Sequence, residues 1–182
     1  MTRRITFLLS LVFCLMITQV SAQRPKVYLG FHAGMGASLW NYNGINYSAE
    51  TYNFDTRIAV YQARMFYGFD VSLMGTPYLQ LDDKIVRTMD GVLKLKLGVL
   101  PIKRQHFKMH LGAGVNLATR LTNDPLKAYN ESTRGTEGQL EVFTDFVVHG
   151  FNIGLRVQFP FGNRDVNLVR GSVAAITFGY WF

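Results

Sequence analysis

The chain has 182 residues, 48% hydrophobic, 14% aromatic and 17% charged, with 17 glycines, one cysteine and a formal net charge of +7. The length suits one domain rather than two, and the aromatic content excludes an intrinsically disordered chain. Outside the N-terminal segment no apolar run approaches the roughly 18 residues that a transmembrane helix needs, so a helical membrane protein is excluded too.

Met1 to Ala22 read as a cleaved secretory signal peptide. Arg3 and Arg4 start it, Ile5 to Ile17 form its apolar stretch, and Val20-Ser21-Ala22 supply the small-residue cleavage site. Cys14 follows the bulky Phe13, which argues against lipoprotein processing. Cleavage would leave residues 23–182 as one β-barrel domain of net charge +5 without cysteine. Such a domain has no disulfides and depends on packing and backbone pairing.

The mature chain alternates with period two, the signature of strands. Lys26 to Trp40 sets Val27, Leu29, Phe31, Ala33, Met35, Ala37 and Leu39 against Tyr28, Gly30, His32, Gly34, Gly36 and Ser38. Asn41 to Asp55, rich in Asn, Tyr and Gly, reads as a long loop. Thr56 to Tyr67 follows, with Ala59, Tyr61, Ala63 and Met65 expected outward and Gln62 and Arg64 inward. After a short break at Gly68, Phe69 to Leu79 opposes Phe69, Val71 and Leu73 to Asp70 and Ser72. A loop over Gln80 to Val86 precedes Met89 to Val99, where Leu93, Leu95 and Leu97 oppose Asp90, Lys94 and Lys96.

Pro101 to Gln105 reads as a short turn before His106 to Arg120. There Phe107, Met109, Leu111, Ala113, Val115 and Leu117 oppose Lys108, His110, Gly112, Gly114, Asn116 and Arg120. Thr122 to Glu137 has loop composition. Gly138 to Val148 sets Leu140, Val142, Phe146 and Val148 against Glu141 and Asp145, and His149-Gly150 turns the chain. Phe151 to Phe161 opposes Phe151, Ile153, Leu155, Val157 and Phe159 to Asn152, Gly154, Arg156 and Gln158. After Gly162 to Val166, Val169 to Phe182 puts Ala174, Ile176, Phe178, Tyr180 and Phe182 on one face. The fold expected is all-β, an eight-stranded antiparallel up-and-down transmembrane β-barrel with long connections at one end and short ones at the other.

Period two alone does not say whether the greasy face meets a core or lipid. Three features point to lipid. The polar face is rich in glycine, which suits a crowded lumen. Tyr28, Trp40, Tyr78, Tyr180 and Trp181 fall near strand ends, as interfacial aromatic girdles do. The chain also stops on an apolar strand at Phe182 that must pair with the first to close the barrel.

The ending Ile176-Thr177-Phe178-Gly179-Tyr180-Trp181-Phe182 resembles the C-terminal signal of Gram-negative outer-membrane barrels. The stretch Leu97-Gly98-Val99-Leu100-Pro101, followed by Met109-His110-Leu111-Gly112-Ala113-Gly114, resembles the PorT-like group within the OmpA-type eight-stranded barrels. The resemblance implies an outer-membrane location and insertion by the barrel-assembly machinery, which would read Phe178, Tyr180 and Phe182. The group includes structural, adhesive and secretion-associated members.

By alternation, Lys94, Lys96, Lys108, Arg120 and Arg156, with Arg64 at the margin, face the lumen together with Asp70, Asp90, Glu141, Asp145, His32 and His110. Such a set either selects ions in a pore or fills a narrow barrel with ion pairs, and eight strands favour filling. His32, Asp70 and Ser72 also point inward, the residue types of a hydrolase triad, but the histidine and serine lie on strands that are not neighbours. The four histidines, at 32, 106, 110 and 149, lack metal-ligand spacing, and no phosphate-binding loop occurs. No metal, cofactor or nucleic acid is expected. Arg57, Arg87, Arg134, Arg164 and Arg170 are expected at outer strand ends and loops, where they either contact lipopolysaccharide phosphates or are simply solvated. The expected role is a lipid-embedded scaffold presenting Asn41 to Asp55 and Thr122 to Glu137 to an extracellular or periplasmic protein partner. A lipid-modifying enzyme and a narrow transport channel are the alternatives.

Overall fold

In lipid every backbone N–H and C=O must find a partner within the protein, and a closed sheet is the all-strand solution. The computed structural model describes residues 24–122, 136–161 and 168–182. The expected signal peptide lies outside the described residues. So do most of the connection expected at Thr122 to Glu137 and that expected at Gly162 to Val166.

The chain forms β1 (Lys26–Tyr42), β2 (Ile45–Gln62), β3 (Met65–Leu81), β4 (Lys84–Lys103), β5 (Phe107–Arg120), β6 (Thr136–Val148), β7 (Phe151–Phe161) and β8 (Leu168–Trp181). Each strand pairs antiparallel with the next, and β8 pairs with β1 to close the barrel. Phe182 N–H donates to the Leu29 carbonyl at 2.8 Å, which extends this seam to the last residue.

The alternation read from the sequence describes β1, β4, β5, β6, β7 and β8 correctly, and the start of β3 as well. It fails in β2. Asn41 to Asp55 is a hairpin, with β1 and β2 joined by Asn43-Gly44 at φ of 50° and 85°. Asn-Gly supplies the positive φ values that match the twist of paired strands. Ala59 and Tyr61 consequently face the lumen, and the turn after β2 falls at Ala63-Arg64 rather than at Gly68. Arg64 is exposed on that turn, outside the lumen. Gln80 to Val86 is likewise mostly strand, turning at Asp82-Asp83. The described connections therefore do not follow a long-and-short alternation.

The outer surface is a continuous apolar belt. Leu95, Val71, Leu93, Leu117, Val142, Ile153 and Leu155 are all about half exposed or more. Phe151, Tyr180, Phe182 and Phe31 pack edge to face near the rim where β1 begins and β8 ends. Of the expected girdle, Tyr78 and Tyr180 lie outside. Trp40 and Trp181 instead point into the lumen and are buried, and Tyr28 is half buried against Tyr61. Their phase along the strand dictates this: Trp40 lies on the face of His32 and Ser38, and Trp181 on that of Thr177.

The lipid-facing assignment is testable. Leu95 is 64% exposed near the middle of β4. Leu95→Arg is expected to destabilise the folded barrel by about 2–4 kcal/mol, the usual effect of arginine near the bilayer midplane. The check is the urea midpoint in lipid vesicles; an unchanged midpoint would mean that this face meets water.

Candidate functional site

Among the described residues, charged side chains gather away from water in the lumen, which is built in layers. At the rim bearing the chain ends, Tyr61, Phe66, Leu100, Phe143, Val147, Trp181 and Ala59 form an apolar plug. Phe66 stacks on His110 at 5.1 Å, and Tyr61 Oη lies 3.1 Å from His110 Nε2. At the opposite rim Trp40, Tyr42, Leu79, Leu81, Val86, Leu168 and Ala49 form a second plug.

Between the plugs lie two charged layers separated by Met74, Val92 and Ala118. In the larger layer, Arg57 Nε donates to Asp70 Oδ1 at 2.7 Å and its Nη1 to Asp145 Oδ2 at 2.9 Å. Lys96 Nζ sits 3.0 Å from Asp70 Oδ2 and 2.5 Å from Glu141 Oε1. Lys94 Nζ donates to Asp55 Oδ1 at 2.9 Å, and Arg156 donates to the other oxygen of Asp55. Asn116 and Gln158 add amide donors to Glu141 Oε2. The smaller layer centres on Asp90, held by Arg120 Nε at 2.5 Å and by Arg170 Nη2 at 2.6 Å. The guanidinium carbons of Arg120 and Arg170 lie 5.4 Å and 4.7 Å from the Trp40 ring centre.

These layers balance. The larger holds Arg57, Lys94, Lys96 and Arg156 against Asp55, Asp70, Glu141 and Asp145. The smaller holds Arg120 and Arg170 against Asp90 and Glu137, with Glu137 Oε1 at 4.0 Å from Arg120. Ions withdrawn from water are stable only with partners, and removing one partner strands the other.

Most of the expected charge network is present: Lys94, Lys96, Arg120, Arg156 and Asp90 all belong to it. Lys108 does not. It sits at the rim with its ammonium 4.6 Å from the Tyr28 ring centre and 5.3 Å from that of Tyr61. Four members differ from the sequence expectation. Asp55 and Glu137 fall in segments expected as loops, and Arg57 and Arg170, expected outside, are fully buried in the lumen. Arg87 is exposed as expected, whereas Arg134 and Arg164 lie outside the described residues. The Asn43-Gly44 dipeptide was the signal that would have extended β2 and turned Asp55 and Arg57 inward.

His32, Asp70 and Ser72 are all buried in the lumen, yet they do not meet. His32 opposes Asp55, and Asp55 opposes Ser72, so histidine and serine stand two strands apart. At the usual strand spacing that is roughly 10 Å. Asp70 is engaged by Arg57 and Lys96. Among the described residues, neither ring nitrogen of His32 nor Ser72 Oγ has a hydrogen-bond partner. Nor do His, Asp and Glu side chains gather in threes at metal-ligand distance among those residues. His106 and His149 do come together, ring centres 4.5 Å apart, on the two turns of the rim that bears the chain ends.

Two substitutions separate the structural roles. Asp55→Asn leaves Lys94 and Arg156 without their shared counter-charge and is expected to cost about 3–5 kcal/mol. Ser72→Ala removes a buried hydroxyl that has no partner and should be neutral or stabilising by about 1 kcal/mol. Urea unfolding in vesicles measures both. A strongly destabilising Ser72→Ala would mean that this hydroxyl carries a hydrogen bond.

No protein-family model matches the sequence, and no curated protein does. Solved structures match over most of the chain. Neisserial surface protein A aligns at 12% identity and a TM-score of 0.58, covering 88% of this chain and all of that one. The attachment invasion locus protein of Yersinia pestis aligns at 13% identity and a TM-score of 0.47, covering 86% of this chain and 99% of that one. The outer-membrane enzyme PagL aligns at 10% identity and a TM-score of 0.47, covering 81% of this chain and 98% of that one. At such identities what is shared is the backbone architecture, and the chain has the fold of the eight-stranded outer-membrane β-barrels.

Proposed function

We propose that the protein is an outer-membrane scaffold with a sealed lumen, exported by its cleaved signal peptide, whose work is done at its ends rather than through its interior. The observation that carries this reading is the lumen itself: neutral charged layers closed off by an apolar plug at each rim. An eight-stranded barrel has room for side chains and little else. A channel would need a continuous polar path, and a hydrolase would need its serine within reach of its base. The charged layers instead fill the barrel and lock opposite walls together.

In this reading the rim where β1 begins and β8 ends faces the periplasm, and the opposite rim, with the tips of the β1–β2 and β3–β4 hairpins, faces the cell exterior. Loops held by a rigid frame are where binding resides, so the connection from β5 to β6, expected at Thr122 to Glu137, is the segment assigned to a protein partner. Arg87, exposed on β4, would meet lipopolysaccharide phosphates. Phe178 and Phe182, outward on β8 and just past its end, act with Tyr180 as the signal for the assembly machinery.

An epitope inserted within residues 121–135 is expected to be labelled by antibody on intact cells, and one placed just before Arg24 only after permeabilisation; the reverse pattern would overturn the orientation. In planar bilayers the purified protein should show no stable conductance. Discrete openings abolished by Lys94→Met would restore the channel reading. The acyl-chain pattern of outer-membrane lipids should be the same in cells overproducing the protein or its Ser72→Ala variant, and a difference between them would make the barrel an enzyme. Deleting Phe182 should lower the fraction of assembled barrel, read as the heat-modifiable band on a denaturing gel.

A further inference from the structure

Once the paired lumen charges are set aside, the remaining positive charge of the described residues is concentrated at one end. The rim where β1 begins and β8 ends carries Arg24, Lys26, Arg64, Lys103, Arg104 and Lys108. No Asp or Glu occurs in residues 24–49, 56–69, 91–122, 146–161 or 168–182. At the opposite end Glu50, Asp82 and Asp83 accompany Lys84 and Arg87. Five of the six cations, all but Arg64, line a single cup of about 430 Å³, with Tyr28 and Tyr61 among its walls.

The cup is a product of strand geometry. Lys103 pairs in register with Lys108 on the neighbouring strand, and a register shift between Val99 and Ile102 precedes this pair. Bulges re-aim side chains in this way. Like charges directly opposite one another in a sheet are destabilising, and here neither lysine has a carboxylate. Lys103 Nζ donates to the Ala63 carbonyl at 2.7 Å, and the Lys108 ammonium rests over the two tyrosine rings. These contacts hold the ammonium groups in place without neutralising them. Among the described residues none of the five cations makes an ion pair, in contrast to the lumen a few residues away, where cations and carboxylates match.

We infer that this cup is a binding site for phosphate groups. Five converging cations call for a multiply charged anion, and the forked guanidinium groups of Arg24 and Arg104 match phosphate oxygens. The outward ring cluster of Phe151, Tyr180 and Phe182 lies on the same rim. Aromatic belts of this kind sit at headgroup depth. Two sources offer the chemistry there: the phosphodiester headgroups of anionic phospholipids in the adjoining leaflet, and soluble phosphate anions.

The test uses folded full-length mature protein in a zwitterionic detergent. Inorganic pyrophosphate is titrated by calorimetry, and retention of phosphatidylglycerol against phosphatidylethanolamine is read by native mass spectrometry. Wild type should bind at least one probe, more weakly as salt is raised. The pair Lys103→Gln and Lys108→Gln should weaken that binding at least tenfold, whereas Lys84→Gln at the opposite end should leave it unchanged. Lys26→Gln with Arg104→Gln provides a second variant, and heat modifiability on a gel confirms folding of each. Retention of phosphatidylglycerol alone assigns the lipid source, and a pyrophosphate signal alone the soluble one. If neither probe binds wild type, or if both cup variants bind like wild type, the site is refuted. Binding of poly-glutamate where neither phosphate probe binds would refute it in favour of an acidic protein segment. These results concern the purified barrel and leave surface labelling and conductance as separate measures of the scaffold reading.

Discussion

The constraint on which everything else depends is the pairing of backbone groups where no water is available. An open sheet would leave a row of N–H and C=O groups unpaired at each edge, at several kcal/mol per group in hydrocarbon. The seam between β1 and β8 removes both edges, and it runs from Tyr42 against Leu168 down to Gly30 against Trp181, with one irregularity beside Ser38. Closure with eight strands then sets the width of the interior, and that width sets what the inward positions hold.

The inward positions obey a local accounting of volume. Bulky rings and glycines alternate across neighbouring strands. Gly112 faces the Phe143 ring, where an added Cβ would come within 2.7 Å of the ring, and Gly30 lies beside Trp181 in the same way. The charged layers obey an accounting of electrostatics. Each carboxylate in the middle of the barrel meets cations from other strands, often across the lumen, as Arg57 does with Asp145. The interior thus gains cross-links that a purely apolar filling would lack. Those cross-links also leave the lumen neutral, so that the protein's excess charge appears only at its ends.

The legibility of the sequence followed the contrast between the two faces of each strand. In β1, β4, β5 and β7 the outward residues are mostly aliphatic or aromatic, and the inward ones mostly small, polar or charged, so phase and face are readable. In β2 the contrast disappears, because Ala59 and Tyr61 fill an apolar plug while Ile58 and Val60 lie on the outward side. An apolar residue inside then looks like an apolar residue outside. Trp40 and Trp181 differ from the expected girdle because, although both lie near strand ends, their phase along the strand puts them in the lumen. The turn at Ala63 carries a positive φ of 53° on an alanine, which no local residue preference announces.

Composition and alternation by themselves determined that this chain is an all-β protein of eight strands with one greasy face, because side-chain direction in a strand follows from backbone geometry two residues at a time. The charge excess was also legible, since it is a sum over residues. Only the tertiary structure decided which charges cancel and which remain. Arg57 and Asp145 are 88 positions apart, and Arg156 and Asp55 are 101 apart. Such pairs exist only after the sheet has closed, since closure brings opposite walls within reach of a single side chain. The basic cup exists for the same reason: Arg24 and Lys26 are far along the chain from Lys103 and Lys108, and the two groups meet only because their strands end on one rim.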